Sequence, residues 1–366
     1  MTVERDIVRF ALPFTAGVLT ACTISEAIYL PALAVVMPAG VIAATGTHAY
    51  SRRQGKDLMI MCGIIAAAFL TGIFCLCNAK ILELSAVQPH VHIADFAVGC
   101  CRRLQDCIDS ISFRRPETSA LIKALLTGDR SDIPRGISEA FRSSGASHIL
   151  ALSGMHLGII YSIAGWILSV FGNSIKGMRI RSVCMVLLCG FYTLATGAGE
   201  SITRAFIFIL LGETAKIFHR YRNIRQTLMA ALTIQLAISP LSISDVGFQL
   251  SYAAMAGIAF VHPWLKSFWP EDGNGRSIPE KIWDLVSMSI SCQLTTAPLA
   301  WYYFHTFPAH FILTNLLAIP LTSVLIPLSL LCILLHGIGI CPEFMIHATE
   351  MLAGGLTASL GIIAGM

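Results

Sequence analysis

The chain is a succession of apolar runs, most of them close to the ~20 residues a helix needs to cross the hydrocarbon core of a bilayer. Their approximate bounds are 8–27, 30–50, 58–78, 148–171, 182–199, 201–219, 226–241, 247–265, 283–301, 310–336 and 343–365. Lipid offers no water to satisfy backbone groups, so the runs are read as helices. Composition agrees: 55% of residues are hydrophobic and 13% charged, against about 25% charged in soluble domains. The predicted fold class is an all-α polytopic membrane protein with about ten to eleven transmembrane or re-entrant helices, joined by extracytoplasmic amphipathic helices. The short runs 182–199, 201–219 and 226–241 are read as tilted, re-entrant or broken.

Cationic loops set the orientation. Arg5/Arg9, Arg52/Arg53/Lys56, Lys176/Arg179/Arg181, Lys216/Arg220/Arg222/Arg225 and Lys266/Lys281 fall on one side if the runs alternate. That side is read as the cytoplasm, which makes the chain a multi-pass protein of the cell inner membrane with its C-terminus outside. No cleavage site is apparent after Arg5 and Arg9, so no cleavable leader is expected. The net charge of +4 is too small to argue for nucleic acid by itself. The twelve cysteines are scattered without a CxxC pair. Most, such as Cys62, Cys184, Cys189, Cys292 and Cys332, are read as small hydrophobes, and no metal or cofactor is expected.

Three regions are predicted: N-terminal transmembrane helices over 1–78, an extracytoplasmic amphipathic linker over 79–147, and a transmembrane core over 148–366. The linker carries nine Lys/Arg against eight Asp/Glu. Phe96, Cys100, Leu104, Cys107, Ile108 and Ile111 recur at helical spacing opposite Arg102, Arg103, Gln105, Asp106 and Asp109. Such a helix lies on the membrane surface or against the bundle. A second helix is predicted over about 117–127, ending at Gly128, and a third from near Asp132, with Pro134 in its first turn, to Gly145.

The core opens on Ser147-His148-Ile149-Leu150-Ala151-Leu152-Ser153-Gly154-Met155-His156-Leu157-Gly158. Polar groups at this depth must pair with protein or line a wet cavity. Ser153 and His156, three apart, are expected on one face, and Gly154 and Gly158 leave a face bare for a neighbouring helix. The runs "ALLTGDR", "AFRSSGASH" and "SHILALSGMHLG" closely resemble the membrane channel core of the ComEC-type competence proteins. That family takes single-stranded DNA across the bacterial cytoplasmic membrane. The resemblance covers 117–336 well and the leading runs weakly. Many members also carry an OB-type domain after the first spans and a metallo-β-lactamase-like domain after the last; this sequence offers room for neither.

Three further stretches carry the same resemblance. "TGAGESITRAF" places Arg204 near the start of an apolar run, where it should pair or face water, with Glu200 four residues earlier as the partner. "GFQLSY" opens a run with Gly247, Phe248, Gln249, Ser251 and Tyr252. Its rings offer faces for stacking bases, or else form an interfacial aromatic belt. "TAPLAWYYFHTFPAHFILTNLLAIPL" holds Pro298, the aromatic cluster Trp301 to Phe304, and Asn315 within an apolar stretch.

The expected conduit residues are therefore His148, Ser153, His156, Arg204, Gln249, Ser251 and Asn315. Gly128, Gly154, Gly158, Glu200, Gly247, Phe248 and Pro298 are read as packing residues. Two other readings stand beside the channel: a transporter of another polar solute or lipid, and an intramembrane enzyme using Ser153 with a histidine base. No complete catalytic set is found. His90-Val91-His92 followed by Asp95 departs from the zinc motif it resembles, and no GxxxxGK[ST] phosphate loop occurs, so no enzymatic activity is expected. The expected partners are membrane lipid, single-stranded DNA and other uptake proteins: a DNA receptor, an ATP-driven motor and a separate nuclease. Self-association into a homo-oligomer is compatible with the sequence.

Overall fold

A computed structural model of the chain describes residues 2–23, 57–84, 92–172, 174–218, 223–269, 278–305 and 310–365. The run at 30–50, the cationic group Arg52/Arg53/Lys56, Arg220, Arg222 and the His90-Val91 part of the zinc-like motif lie outside them. Among the described residues the chain is helical, with no strand. Four segments are long and apolar enough to cross a membrane: Gly154–Phe171, Ile175–Ala195, Phe311–Gly337 and Glu343–Ala364. Shorter apolar helical stretches occupy Ile7–Cys22, Ile64–Lys80 and Ile224–Ile238.

The chain divides into two compact units. One draws on residues 1–90 and 221–252, the other on 91–220 and 253–366.

In the first unit, α1 (Thr2–Cys22) packs along α2 (Asp57–Leu84). Small residues set the distance: a side chain at Gly17 would run into the Phe69 carbonyl, and one at Gly72 into the Phe14 carbonyl. The backbones therefore touch, as small residues allow between apolar helices. Ala11, Phe14, Val18 and Ala21 of α1 and Ala68, Ile73, Leu76 and Cys77 of α2 fill the contact. A further helix of this unit, Ile224–Ile238, also packs on α1.

The second unit is built around α4 (Pro116–Thr127), which joins α3 (His92–Ser110) to α5 (Arg135–Ser143). Its core takes Leu121, Ile122, Leu125 and Leu126 from α4, with Phe141, Ile149 and Leu150. Leu325, Ile326 and Cys332 come from Phe311–Gly337, and Ala353, Leu356 and Leu360 from Glu343–Ala364. Ile108 of α3, the helix open to a membrane-surface or a bundle setting, and Ile111 just beyond its end pack into this core, and nine of the twelve α4 residues are buried, Lys123 among them. Helix α4 ends at Gly128, whose φ of 81° closes the helix in the left-handed conformation.

Lys123 explains why α5 starts later than its sequence implies. Asp132, expected at that helix's entry, bonds the Lys123 ammonium instead, and Pro134 stands at the cap position. Lys123 also reaches Asp109 of α3 at 3.0 Å, and Asp109 accepts from Ser119 at 2.8 Å. Burial pulls the Lys123 pKa down, but bonds to Asp132 and Asp109 outweigh it and hold it above the ordinary lysine value. For Asp109, burial acts upward and is outweighed by the bonds from Lys123 and Ser119, which leave its pKa low.

The lowered Asp109 pKa contributes stability that is lost as pH falls through it. The raised Lys123 pKa contributes stability that is lost as pH rises through it. Melting temperature in detergent should therefore plateau between the unfolded-chain values, about 4 and about 10.4, and decline on both sides. Lys123→Met should remove the alkaline decline specific to this clamp; an unchanged profile would refute its role.

Candidate functional site

The expected pathway residues sit at breaks and junctions of the helices, beginning with the stretch 147–158. It is interrupted: α6 (Ser147–Leu150) is a single turn, and α7 (Gly154–Ile167) starts after Ser153. Ser153 takes an extended conformation (φ −122°, ψ 170°) and caps α7. The Ser153 backbone N–H donates to His156 Nδ1 at 3.1 Å, and the serine side chain accepts from the His156 backbone. Ser153 and His156 are thus the two ends of a capping box, with histidine in the usual glutamate position.

Proton placement follows. Nδ1 accepts, so it holds a lone pair, and the neutral ring carries its hydrogen on Nε2. His156 is buried, and Nε2 has no protein partner among the described residues. It is a buried donor left without an acceptor among the described residues. His148 is exposed and bonds the Gly145 carbonyl through Nδ1 at 3.1 Å. A methyl group on Gly154 would lie 3.4 Å from Ala205 Cβ, whereas one on Gly158 would meet nothing within 4 Å.

Arg204 lies one turn into α9 (Glu200–Ile217), which follows α8 (Ile175–Ala195) through a tight turn with positive φ at Gly197 and Ala198. Arg204 is 4% exposed, and its Nη1 is 4.0 Å from Glu200 Oε2, the far limit of an ion pair. It adjoins Ile202, which packs with Leu157 of α7 and Cys189 of α8.

The strongest polar cluster of this region joins the same three helices and was not singled out in the sequence. Glu213 of α9 is 3% exposed. Its carboxylate accepts from Ser182 of α8 at 2.6 Å, from Lys216 at 2.7 Å and from the Tyr161 hydroxyl of α7. Lys216 also donates to Tyr161 at 2.7 Å. A signal was present: Glu213 stands in the apolar run "FIFILLGETAKIF", where a carboxylate needs partners and marks a site. Lys216, grouped by sequence with the loop cations, lies in the last turn of the same helix, three residues after Glu213. Glu350 was not singled out either. It is buried in Glu343–Ala364 and accepts the backbone N–H groups of Arg114 and Arg115.

The other expected residues fall elsewhere. In the first unit, α10 (Ile224–Ile238) is followed by a 3-10 turn, Pro240–Ser244, and then by the part of α11 (Val246–Ala256) that runs to Tyr252. Asp245 caps α11 through the Phe248 N–H at 3.3 Å. Gln249 folds back to the Ile243 carbonyl at 2.9 Å. Phe248 is buried against Tyr252, ring centroids 4.6 Å apart, and Tyr252 donates to Gln235 at 3.1 Å. Gly247 is exposed and Ser251 partly buried.

In the second unit, α12 (His262–Lys266) leads to α13 (Ile278–Phe304), which continues through Pro298. In α14 (Phe311–Gly337), Asn315 donates to Ser289 of α13 at 3.3 Å, and its Oδ1 is buried without a protein partner among the described residues. Among the described residues, no three His, Cys, Asp or Glu side chains are grouped to hold a metal.

Comparison with known proteins gives these positions a family. The chain is 25% identical over 222 residues to ComE operon protein 3 of Bacillus subtilis, covering 60% of this chain and 26% of that protein. It is 27% identical over 218 residues to Competence protein ComA of Neisseria gonorrhoeae, covering 58% of this chain and 30% of that protein. It is 22% identical over 295 residues to Recombination protein 2 of Haemophilus influenzae, covering 78% of this chain and 36% of that protein. The chain thus spans about a quarter to a third of the length of the curated relatives it matches. No solved structure is a significant match. The profile of the family described as Competence protein matches residues 125–366, from the end of α4 through all the core helices, and the chain belongs to that family.

Proposed function

We propose that the chain is a membrane subunit of a DNA-uptake system, conducting single-stranded DNA across the cell inner membrane during natural transformation. The observation that carries this is the family match over 125–366, the region that also holds His156, Arg204 and Asn315. A strand carries one charge per nucleotide, so its path must be wet and lined with donors, cations and rings. The His156 Nε2 donor suits such a path: it is buried yet has no protein acceptor among the described residues. Arg204 supplies a buried cation near the start of α9, and Asn315 a second polar group. The full set of transmembrane or re-entrant crossings belongs to this proposal, as do a DNA receptor, an ATP-driven motor and a separate nuclease as partners.

The geometry at Ser153 also bears on the enzyme reading. Ser153 Oγ and His156 Nδ1 are 2.9 Å apart, within reach for a nucleophile and base. The Nδ1 lone pair already accepts the Ser153 backbone N–H, however, so it is committed to the cap and is not free to take the hydroxyl proton. The pair is best read as structural, and the chain as a conduit rather than an enzyme. The test is transformation in a strain lacking this gene. Loss of labelled-DNA entry, restored by the wild-type copy, is the expected result; normal entry in the deletion strain would overturn the proposal.

A further inference from the structure

A cluster of cations lies at the opposite end of α8 from Arg204. No acidic residue occurs between Glu139 and Glu200, while Lys176, Arg179 and Arg181 crowd the first two turns of α8. Between these turns and the end of α9 is a small, narrow recess lined by Ile175, Met178, Arg179, Arg181, Ser182, Lys216 and Ile217. Glu213, the acid nearest the recess, is engaged by Ser182, Tyr161 and Lys216. Among the described residues Arg179 and Arg181 enter no ion pair, so two guanidinium charges face the recess uncompensated. Beside them Ile175, Ile180 and Val183 are about half exposed. Ile175 lines the recess with the two arginines, and Ile180 and Val183 are their exposed neighbours in sequence.

We propose that this recess binds the headgroup of an anionic phospholipid, its phosphate on Arg179 and Arg181 and its acyl chains along Ile175, Ile180 and Val183. Guanidinium groups match phosphate oxygens in a planar fork. The site lies on the side that the cation distribution assigns to the cytoplasm, where the leaflet is anionic and basic pockets between helices capture such headgroups. A nucleic-acid strand shares the phosphate chemistry but has no use for the apolar side chains around it. The lipid would hold the ends of α8 and α9 together, beside the bonds that Glu213 makes within the bundle.

The test uses the whole 366-residue chain, purified in detergent and examined by native mass spectrometry. Phosphatidylglycerol and phosphatidylcholine with identical acyl chains are offered in turn. The wild type should retain phosphatidylglycerol preferentially. R179Q/R181Q should lose that preference by roughly 10- to 30-fold, the effect of two surface cations on an anionic lipid, while R179K/R181K should keep part of it. Both arginines reach the surface, so the variants should keep wild-type helicity; if the double variant does not, each single substitution is measured. Equal retention of the two lipids by the wild type, or unchanged retention in R179Q/R181Q, overturns the proposal. Loss of single-stranded oligonucleotide binding in R179Q/R181Q with lipid retention intact also overturns it and assigns the recess to nucleic acid.

Discussion

Glu213→Ala is expected to cost about 3–5 kcal/mol of stability, the range for removing one partner from a buried charged cluster. The carboxylate ties three helices together: Ser182 from α8, Tyr161 from α7 and Lys216 from α9 all donate to it. Ser182 is buried, so its hydroxyl would lose its acceptor away from water. Lys216 is different. Its side chain is 45% exposed, so it can turn to solvent when Glu213 is gone. The order of effects should therefore be Glu213→Ala largest, Ser182→Ala next and Lys216→Ala smallest. Thermal unfolding in detergent should show the Glu213 variant melting roughly 10 °C below wild type. Glu213→Gln keeps an acceptor and the volume and should fall between. A Glu213→Ala protein melting with the wild type would show that the cluster does not hold α7, α8 and α9 together.

The positions of the helices were legible because apolar runs and their Gly, Pro and charged borders are local signals. The run at 201–219 becomes α9 at Glu200–Ile217, and the run at 310–336 becomes α14 at Phe311–Gly337. What was not legible depended on partners far along the chain. Lys123 looks like a solvated cation until Asp109 and Asp132 are brought to it. The α3 pattern permits a surface helix or a packed one, and only the burial of Ile108 and Ile111 in the core with α14 and α15 (Glu343–Ala364) decides between them. The break before Gly154 is a different case. Ser153-x-x-His156 has the spacing of a capping box, but histidine there hides the signature. Within the candidate site, Gln249, expected to line the path, bonds the carbonyl of Ile243 six residues earlier, a local contact that no periodicity announces. Glu213 stood in plain view within an apolar run and was missed because Lys216 had been counted as part of a loop.

Arg204→Ala should lower entry of labelled DNA by about ten- to a hundred-fold, the equivalent of one lost hydrogen bond to a charged group, while the protein still inserts in the membrane. Arg204 is 4% exposed near the start of α9, two residues after Ile202, which packs with Leu157 of α7 and Cys189 of α8. An arginine is costly in such a place, and its retention needs a structural or a transport reason. The two reasons predict different pairs of results. If Arg204 serves the Glu200 ion pair, then Glu200→Gln and Arg204→Ala should lower the melting temperature together, and DNA entry should track the amount of folded protein. The 4.0 Å separation argues against that, because a pair this long, with Glu200 40% exposed, contributes little. If Arg204 serves a passing phosphate, Glu200→Gln should leave entry near wild type while Arg204→Ala abolishes most of it at unchanged folded yield. Arg204→Lys separates charge from shape: a lysine keeps the cation but loses the planar fork, so entry should recover in part. Full activity in Arg204→Ala would remove this residue from the conduit and leave the His156 Nε2 donor and Asn315 as the polar groups to test next.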